Sequence, residues 1–453
     1  MASSIFLIDP VENDRDRAAR KYLFPDDSRG WLVPLGIGAV LLAVSLLALL
    51  TGNGQRWLYS YLIGWTFCTS IAIGSLFFVM IQHVVKARWV TVVRRIPEMI
   101  AANLPLLFVL GLPLAASPFF TYSLFHWADP SLLDPNDSHY DALIAGKAGY
   151  LNPPFFFVRY VIYGLIFSYF SRKVYSLSLR QDVEPNPQNT LDLRKFSAIG
   201  IPLAAVSTAF LGFDFLMSLD PHWFSTMFGV YFFAGGWLAN LALISFLAMT
   251  FQKIGLLRHE ITEEHYHDLG KLTFGFTVFW TYIAFSQYFL IWYSNIPEEV
   301  IWFQKRVTGG WGLVSLALLL CHFIIPFLVL LPRFTKRLKP VFAFICGWIL
   351  VMHFIDHWWL AIPTIHVPAG YDEAHAALTG GIPVVQTALE AAAGGHGSSL
   401  FHVYPAYFSW VDLACWLGLF GLFIGVTLFR ASRHAVTPYN DPYYNDSLHF
   451  HNV

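Results

Sequence analysis

Charge is what this chain has least of. Only 13% of its 453 residues are Asp, Glu, Lys or Arg, where a soluble domain carries about one-quarter. Cysteine is scarce as well: Cys68, Cys321, Cys346 and Cys415 are scattered, and each lies inside an apolar stretch. No Cys-x-x-Cys or Cys-x-x-Cys-His occurs, which argues against a zinc knuckle, an iron–sulfur cluster or covalently attached haem. Disulfides are not expected. The net charge of −1 comes with no basic tract that would suggest nucleic acid. A cleavable leader is not expected either. Residues 9–29 mix Asp9, Glu12, Asp14 and Asp16 with Arg15, Arg17, Arg20 and Lys21, and no short apolar run leads to a small-residue cleavage site.

Apolar runs fill the chain instead. Hydrophobic residues make up 56% of it and mean hydropathy is +0.53. Ten spans, each long enough to cross ~30 Å of hydrocarbon, are expected near 31–51, 57–82, 102–120, 153–177, 197–219, 224–251, 271–293, 310–332, 339–362 and 408–430. Of the 28 Lys and Arg residues, 23 fall in segments on the side of both termini, while the opposite loops hold Arg56, Lys147, Lys305 and Arg306. The positive-inside rule then puts both termini in the cytoplasm. Residues 1–30 read as a cytoplasmic segment, 363–407 as a Gly/Ala-rich periplasmic loop, and 431–453 as a cytoplasmic tail strapped onto a neighbour. Outside, 121–152 is rich in Pro, Asp and Asn, and 295–307 reads as a short interfacial helix opened by Pro297.

A faint duplication relates spans two to five with spans six to nine. Spans two and six both carry small residues in their outer halves (Gly64, Ser70, Gly74; Gly229, Gly235, Gly236), as close helix packing requires. The fourth member of each set leads to an Asp-His-aromatic cluster, LDPHWF (219–224) and IDHWWL (355–360). The expected fold is therefore all-α, with two four-helix bundles (spans 2–5 and 6–9) flanked by spans 1 and 10.

Ionisable groups at membrane depth are costly, about 2.5–3.5 kcal/mol each on insertion scales, and usually mark a site or a proton path. Span nine holds three of them on one face: His353, Asp356 and His357, at offsets of three and four residues. Counted from the outer ends at 1.5 Å per residue, Arg159, Asp214 and Asp356 lie roughly 9–10 Å deep. With Gln287 they suggest one outward-facing layer on four helices. Arg159 and Asp214 equally suit a buried salt bridge joining spans four and five. Asp356 and His357 equally suit a polar belt anchored by Trp358 and Trp359. His322 and His353 lie deeper, at matching depth on adjacent spans. Bis-imidazole haem ligation would use two such histidines, but the paired spacing of a b-type cytochrome is absent. A proton relay, a water site or satisfied core histidines are the remaining readings. Thr273, Thr277 and Thr281 form a hydroxyl stripe that either holds water or bonds back to the preceding turn. His83 and Glu98 flank inner helix ends as proton-entry or interfacial groups.

Four long stretches carry a family likeness: FFFVRYVIYGLIFSYFSRK (155–173), GFDFLMSLDPHWFSTMFGVYFFAGG (212–236), FGFTVFWTYIAFSQYFLIWYSNIPEE (274–299) and SLALLLCHFIIPFLVLLPRFTKR (315–337). They closely resemble the second NrfD-like, polysulfide-reductase-type membrane subunits of bacterial alternative complex III, and the resemblance runs through essentially the whole chain, residues 31–430 included. It implies two four-helix bundles with no directly bound metal or cofactor, in the bacterial inner (cytoplasmic) membrane. It implies a quinol:electron acceptor oxidoreductase using menaquinol or a related quinol. The implied partners are a homologous NrfD-like subunit, an iron–sulfur subunit and haem c subunits that pass electrons to a periplasmic acceptor such as cytochrome c. For this subunit it implies an accessory role, with a quinone-related site and a proton path whose matching residues are Asp214, His322, His353, Asp356 and His357, Arg159 adjacent.

Quinol oxidation releases two protons with two electrons, so a carboxylate or imidazole near the outer face is needed to accept them. Two other readings stay open. One is a structural scaffold without a quinone or proton site; the other is an independent proton-coupled transporter, for which broken mid-membrane helices with central Gly/Pro pairs are not evident.

Overall fold

The computed structural model describes residues 22–24, 29–308, 310–365 and 408–451. The readings made for residues 1–21 and 366–407 fall outside these. The described chain is helical, without a strand, and has ten helices long and apolar enough to cross a membrane. They are α1 (Leu32–Leu50), α2 (Gly54–Val84), α3 (Thr91–Phe119), α4 (Pro153–Val183), α5 (Pro187–Leu219), α6 (Phe228–Lys253), α7 (Glu263–Ser294), α8 (Trp311–Leu330), α9 (Lys339–Thr364) and α10 (Trp410–Arg433). This is the architecture of a multi-pass membrane protein.

The helix starts follow local chemistry. Asn152 and Asn186 accept from the backbone N–H groups of Phe155 and Gln188, each with Pro at the next position, so α4 and α5 open on side-chain caps. Ser409 and Asp412 form a reciprocal capping box at the start of α10.

α2 is the centre of the packing. Its most apolar stretch is 100% buried, while that of α1 is only 17% buried. It contacts α3, α4, α5, α6, α9 and α10; α1 lies against α10, and α7 against α6 and α8. Small residues permit this. A Cβ on Gly74 would lie 2.7 Å from the Gly236 carbonyl oxygen, and one on Gly236 would lie 2.6 Å from that of Ser70. At both positions backbone meets backbone, so any side chain would force α2 and α6 apart. Gly64 meets α10 in the same way, with Cys415 O 3.0 Å from an added Cβ.

Several helices extend beyond their expected ends. α3 starts at Thr91 rather than near 102, and α4 and α5 run to Val183 and from Pro187 through a region expected as loop. The charges there are buried because they are paired. Arg94 binds Glu98 (3.0 Å) and Asp441 (2.5 Å), and Arg95 binds Glu98 (3.0 Å) and Asp182 (2.7 Å). Glu98 is thus the centre of an ion-pair layer. The described part of the tail packs on its own chain. Val436 N–H donates to Tyr22 O, Ser447 Oγ donates to Trp89 O, and Asn440 Nδ2 donates to Asp182 O. These contacts lie at one end of the molecule, called here the basic end.

At the opposite end Asp412 ties three helices together. It accepts from Arg56 and Ser60 of α2 and from Trp358 Nε1 of α9 (3.1 Å). Breaking a buried pair leaves its partner charge unmatched, at about 3–5 kcal/mol. Asp412→Ala should lower stability by about 3 kcal/mol, read as the denaturation midpoint of the detergent-solubilised chain. A midpoint equal to wild type would show that this tie does not hold α10 to α2.

Candidate functional site

The polar residues expected to form one outer layer fall into two separate places. Arg159 and Asp214 make a bidentate pair, Nε to Oδ2 and Nη2 to Oδ1, both 2.9 Å. Tyr163 OH donates to Oδ2 (2.8 Å) and Tyr150 OH to Oδ1 (2.9 Å). Each carboxylate oxygen therefore accepts two hydrogen bonds, its full complement. The guanidinium stacks on the Tyr150 ring at 3.8 Å and also donates to Tyr150 O. Among the described residues no hydrogen bond, ion pair or ring contact joins this pair to Asp356. Phe232 stands between, 6.0 Å from the His357 ring and packed over Gly212 of α5. The single four-helix layer is accordingly corrected to two sites.

The second division, with His353 deeper than Asp356 and His357, also gives way. The His353 and His357 rings are 4.4 Å apart at 79°, and one nitrogen from each plus an Asp356 oxygen lie within 4.8 Å of one another. One helical turn separates the two Cα atoms by only ~6 Å, and side chains lean along the axis, so depth along the helix does not separate them. All three residues are 1% exposed or less.

Hydrogen bonds define both imidazole tautomers. His357 Nδ1 faces the carbonyl of His353 at 3.0 Å, so Nδ1 carries the hydrogen. Ser70 Oγ donates to Phe67 O (2.9 Å) and lies 3.0 Å from His353 Nε2, so Nε2–H donates to the serine. The other nitrogens, His357 Nε2 and His353 Nδ1, then offer lone pairs, and both are buried without a protein partner. Tyr231 OH of α6 donates to Asp356 Oδ1. Gly235 lets α6 pack closely on the imidazole: a Cβ there would sit 3.2 Å from His353 Cε1 and 3.4 Å from Nδ1.

His322 is brought in by a π-helical segment, Leu318–Ile324. Pro326 lacks an N–H and its ring crowds the carbonyl four residues back, that of His322 itself. The wider turn relieves the clash, and Trp348 Nε1 donates to the neighbouring carbonyl of Cys321 (2.7 Å). His322 then packs on Trp280 with ring centres 4.1 Å apart, both its nitrogens buried and unpartnered. The sequence signal for this was His followed four residues later by Pro.

Beside the cluster lies a cavity of about 270 Å³ between α7 and α8, mostly apolar. Tyr231, Trp280, Gln287, Trp302, Arg306 and Phe323 are among its lining residues. Tyr231 thus touches the cavity and hydrogen-bonds Asp356. Arg306, 1% exposed, donates to Trp302 O (2.8 Å) and Leu360 O (2.7 Å) and stacks on Trp302 at 3.4 Å, while its Nε is unpartnered. Burial pushes its pKa down to about 9, which still leaves it charged at neutral pH. Sequence reading passed over Tyr231 and Arg306, neither of which belongs to a local motif.

The hydroxyl stripe bonds back to the preceding turn. Thr273, Thr277 and Thr281 each donate to the carbonyl four residues back, at 2.8, 2.9 and 2.9 Å. His83 is buried at the basic end of α2. A metal fits the histidine–aspartate cluster poorly. Its donor atoms spread over as much as 4.8 Å, against roughly 3.3 Å between ligands of a tetrahedral zinc, and one carboxylate would leave a divalent ion half neutralised.

No protein-family model matches this sequence, and no curated protein matches it.

The tautomers can be checked directly. Solid-state ¹⁵N NMR of histidine-labelled protein should show His353 as the Nε2–H form and His357 as the Nδ1–H form, assigned by single substitutions. Identical tautomers at the two positions would overturn the hydrogen-bond assignment. Asp214→Asn should cost more stability than Asp356→Asn, by about 2 kcal/mol or more, because Asp214 is paired with a buried guanidinium that stays charged when the carboxylate is removed. Equal denaturation midpoints would sink that distinction.

Proposed function

We propose that this chain is an NrfD-like membrane subunit of a bacterial alternative-complex-III-type quinol:electron acceptor oxidoreductase, contributing a proton-conducting path and a quinone-related site. In this reading it sits in the cytoplasmic membrane with the basic end and both termini in the cytoplasm. Spans 2–5 and 6–9 form its two four-helix bundles. Its partners are a homologous NrfD-like subunit and the iron–sulfur and haem c subunits that carry the electrons, and this subunit is accessory to the redox chemistry.

The observation that carries the reading is the sealed cluster of His353, Asp356 and His357, with His322 close by, whose lone pairs are not used by protein and which Tyr231 links to the cavity. Protons exchange on acceptors that are unoccupied; the Asp356 cluster has them and Asp214 does not. Asp356, His357 and His353 are therefore the exchange groups, His322 a relay group, and Arg159 with Asp214 the clamp between α4 and α5. The cavity suits a lipid-soluble ring with carbonyl or hydroxyl oxygens. Aromatic walls would hold the ring, and Arg306 and Gln287 would meet its oxygens. Tyr231 would pass a released proton to Asp356.

Asp356→Asn combined with His357→Ala in the assembled complex should cut quinol-dependent turnover or its proton release by about tenfold or more, in the range that positioned acid–base groups supply. Unchanged turnover and proton release would overturn this reading in favour of a scaffold role. Solute movement by the purified chain alone in liposomes would favour a transporter.

A further inference from the structure

The cluster has an asymmetry that goes beyond the presence of titratable groups: it faces its own centre with acceptors only. His353 Nδ1 and His357 Nε2 present lone pairs because their other nitrogens hold the hydrogens against Ser70 Oγ and the His353 carbonyl. Asp356 presents carboxylate oxygen, with Tyr231 donating to Oδ1 and the Trp280 ring N–H directed at the same carboxylate. Three acceptors with no donor between them repel, and each imidazole nitrogen is buried without a protein partner. Buried polar atoms of this kind are met by ordered water when the space is polar and roomy enough.

The spacing selects the occupant. Acceptors around one oxygen at hydrogen-bond distances of ~2.8 Å stand about 4.6 Å apart in tetrahedral geometry. One nitrogen of each imidazole and one Asp356 oxygen lie within 4.8 Å of one another. Gly235 packs against this ring, where a Cβ would come within 3.4 Å of Nδ1, so no side chain from that position covers the nitrogen. A neutral water has two hydrogens for three acceptors. A water with one excess proton has three, and its charge cancels that of the Asp356 carboxylate, so the buried cluster is neutral as a whole.

We propose that His353, His357 and Asp356 together hold one water molecule with one excess proton, shared among the four groups. In one limiting form a hydronium donates to both nitrogens and to the carboxylate. In the others the proton sits on Asp356 or an imidazole, and the water donates its two hydrogens to the remaining acceptors. No heavy atom moves between these forms. The groups facing the cluster from the packed helices are Ser70 of α2, Tyr231 of α6, Trp280 of α7 and His322 of α8; Arg306 lies beyond, at the opposite end. Ser70 keeps the His353 tautomer and is a positioning residue. The inference rests on the proton-path reading and adds to it that the proton is stored on a protein-bound water cluster rather than on a single side chain.

Infrared spectroscopy of the full chain in lipid bilayers tests it. A proton shared by water and several bases gives a broad continuum absorbance that shifts on deuteration. The wild-type protein should show this band, with Asp356→Asn and His357→Phe each abolishing it and Thr277→Val leaving it intact. Gly235→Ser, which places a hydroxyl in the water's space, should also remove it while the chain stays folded by its thermal transition. Absence of the band in wild type, or its survival in both Asp356→Asn and His357→Phe, overturns the proposal. So does a stoichiometric transition metal in the purified protein by elemental analysis. The two readings separate cleanly. A band that is present while the Asp356→Asn, His357→Ala complex turns over normally sustains the water site and defeats the proton-path role. A missing band with lost turnover does the reverse.

Discussion

The backbone contact between α2 and α6 is the constraint on which the rest of the structure depends. Gly74 and Gly236 let the two helices touch without side chains, and this draws α2 into a position where its apolar stretch meets no lipid. A helix buried all round can carry polar groups that a peripheral one cannot. Ser60, Ser70 and Ser75 on α2 are all 2% exposed or less, and each reaches a partner on another helix: Asp412, His353 and Asn240. Between helices in a membrane, dispersion and such hydrogen bonds replace the hydrophobic drive of soluble folding. Close approach is what makes both available.

Within this frame the two carboxylates at membrane depth have opposite characters. Asp214 is surrounded by donors, two from Arg159 and one each from Tyr150 and Tyr163, and holds no acceptor capacity in reserve. Asp356 has the Tyr231 hydroxyl and the Trp280 ring N–H as its donors, half the number around Asp214, and two imidazoles whose unpartnered nitrogens are themselves acceptors. Burial alone would rank the two acids alike, since each is 1% exposed. The count of donors around them separates a structural clamp from an exchange site.

Much of the architecture was legible in the sequence. Ten apolar runs gave ten helices because twenty or so apolar residues have few other ways to satisfy their backbone in hydrocarbon. The helix ends were read less well. Arg94, Arg95 and Glu98 look like a loop until Asp182 and Asp441, distant in sequence, are placed beside them. In the site, the spacing of His353, Asp356 and His357 already put them on one face. Counting depth along the axis then separated residues that touch, because one helical turn is short compared with an imidazole side chain. Arg159 with Asp214 was visible as a possible pair, but the tyrosines that saturate it were not. Tyr231 and Arg306 carry no local pattern at all. Their importance comes from what they face, and only three-dimensional placement provides that.

The tie between Arg56 and Asp412 has a further consequence for how the chain is made. Arg56 opens the second membrane helix, and its acidic partner begins the tenth, 356 residues later. During synthesis the central helix enters the bilayer long before α6, α9 and α10 exist. Its serines, its arginine and the glycine face that will meet α6 must therefore wait at a lipid boundary or in the shelter of the insertion machinery. The tie to α2 is thus closed only when α10 emerges. A ribosome stalled before residue 410 would leave a membrane intermediate with its most polar surfaces uncovered, the form that membrane quality control is best placed to recognise.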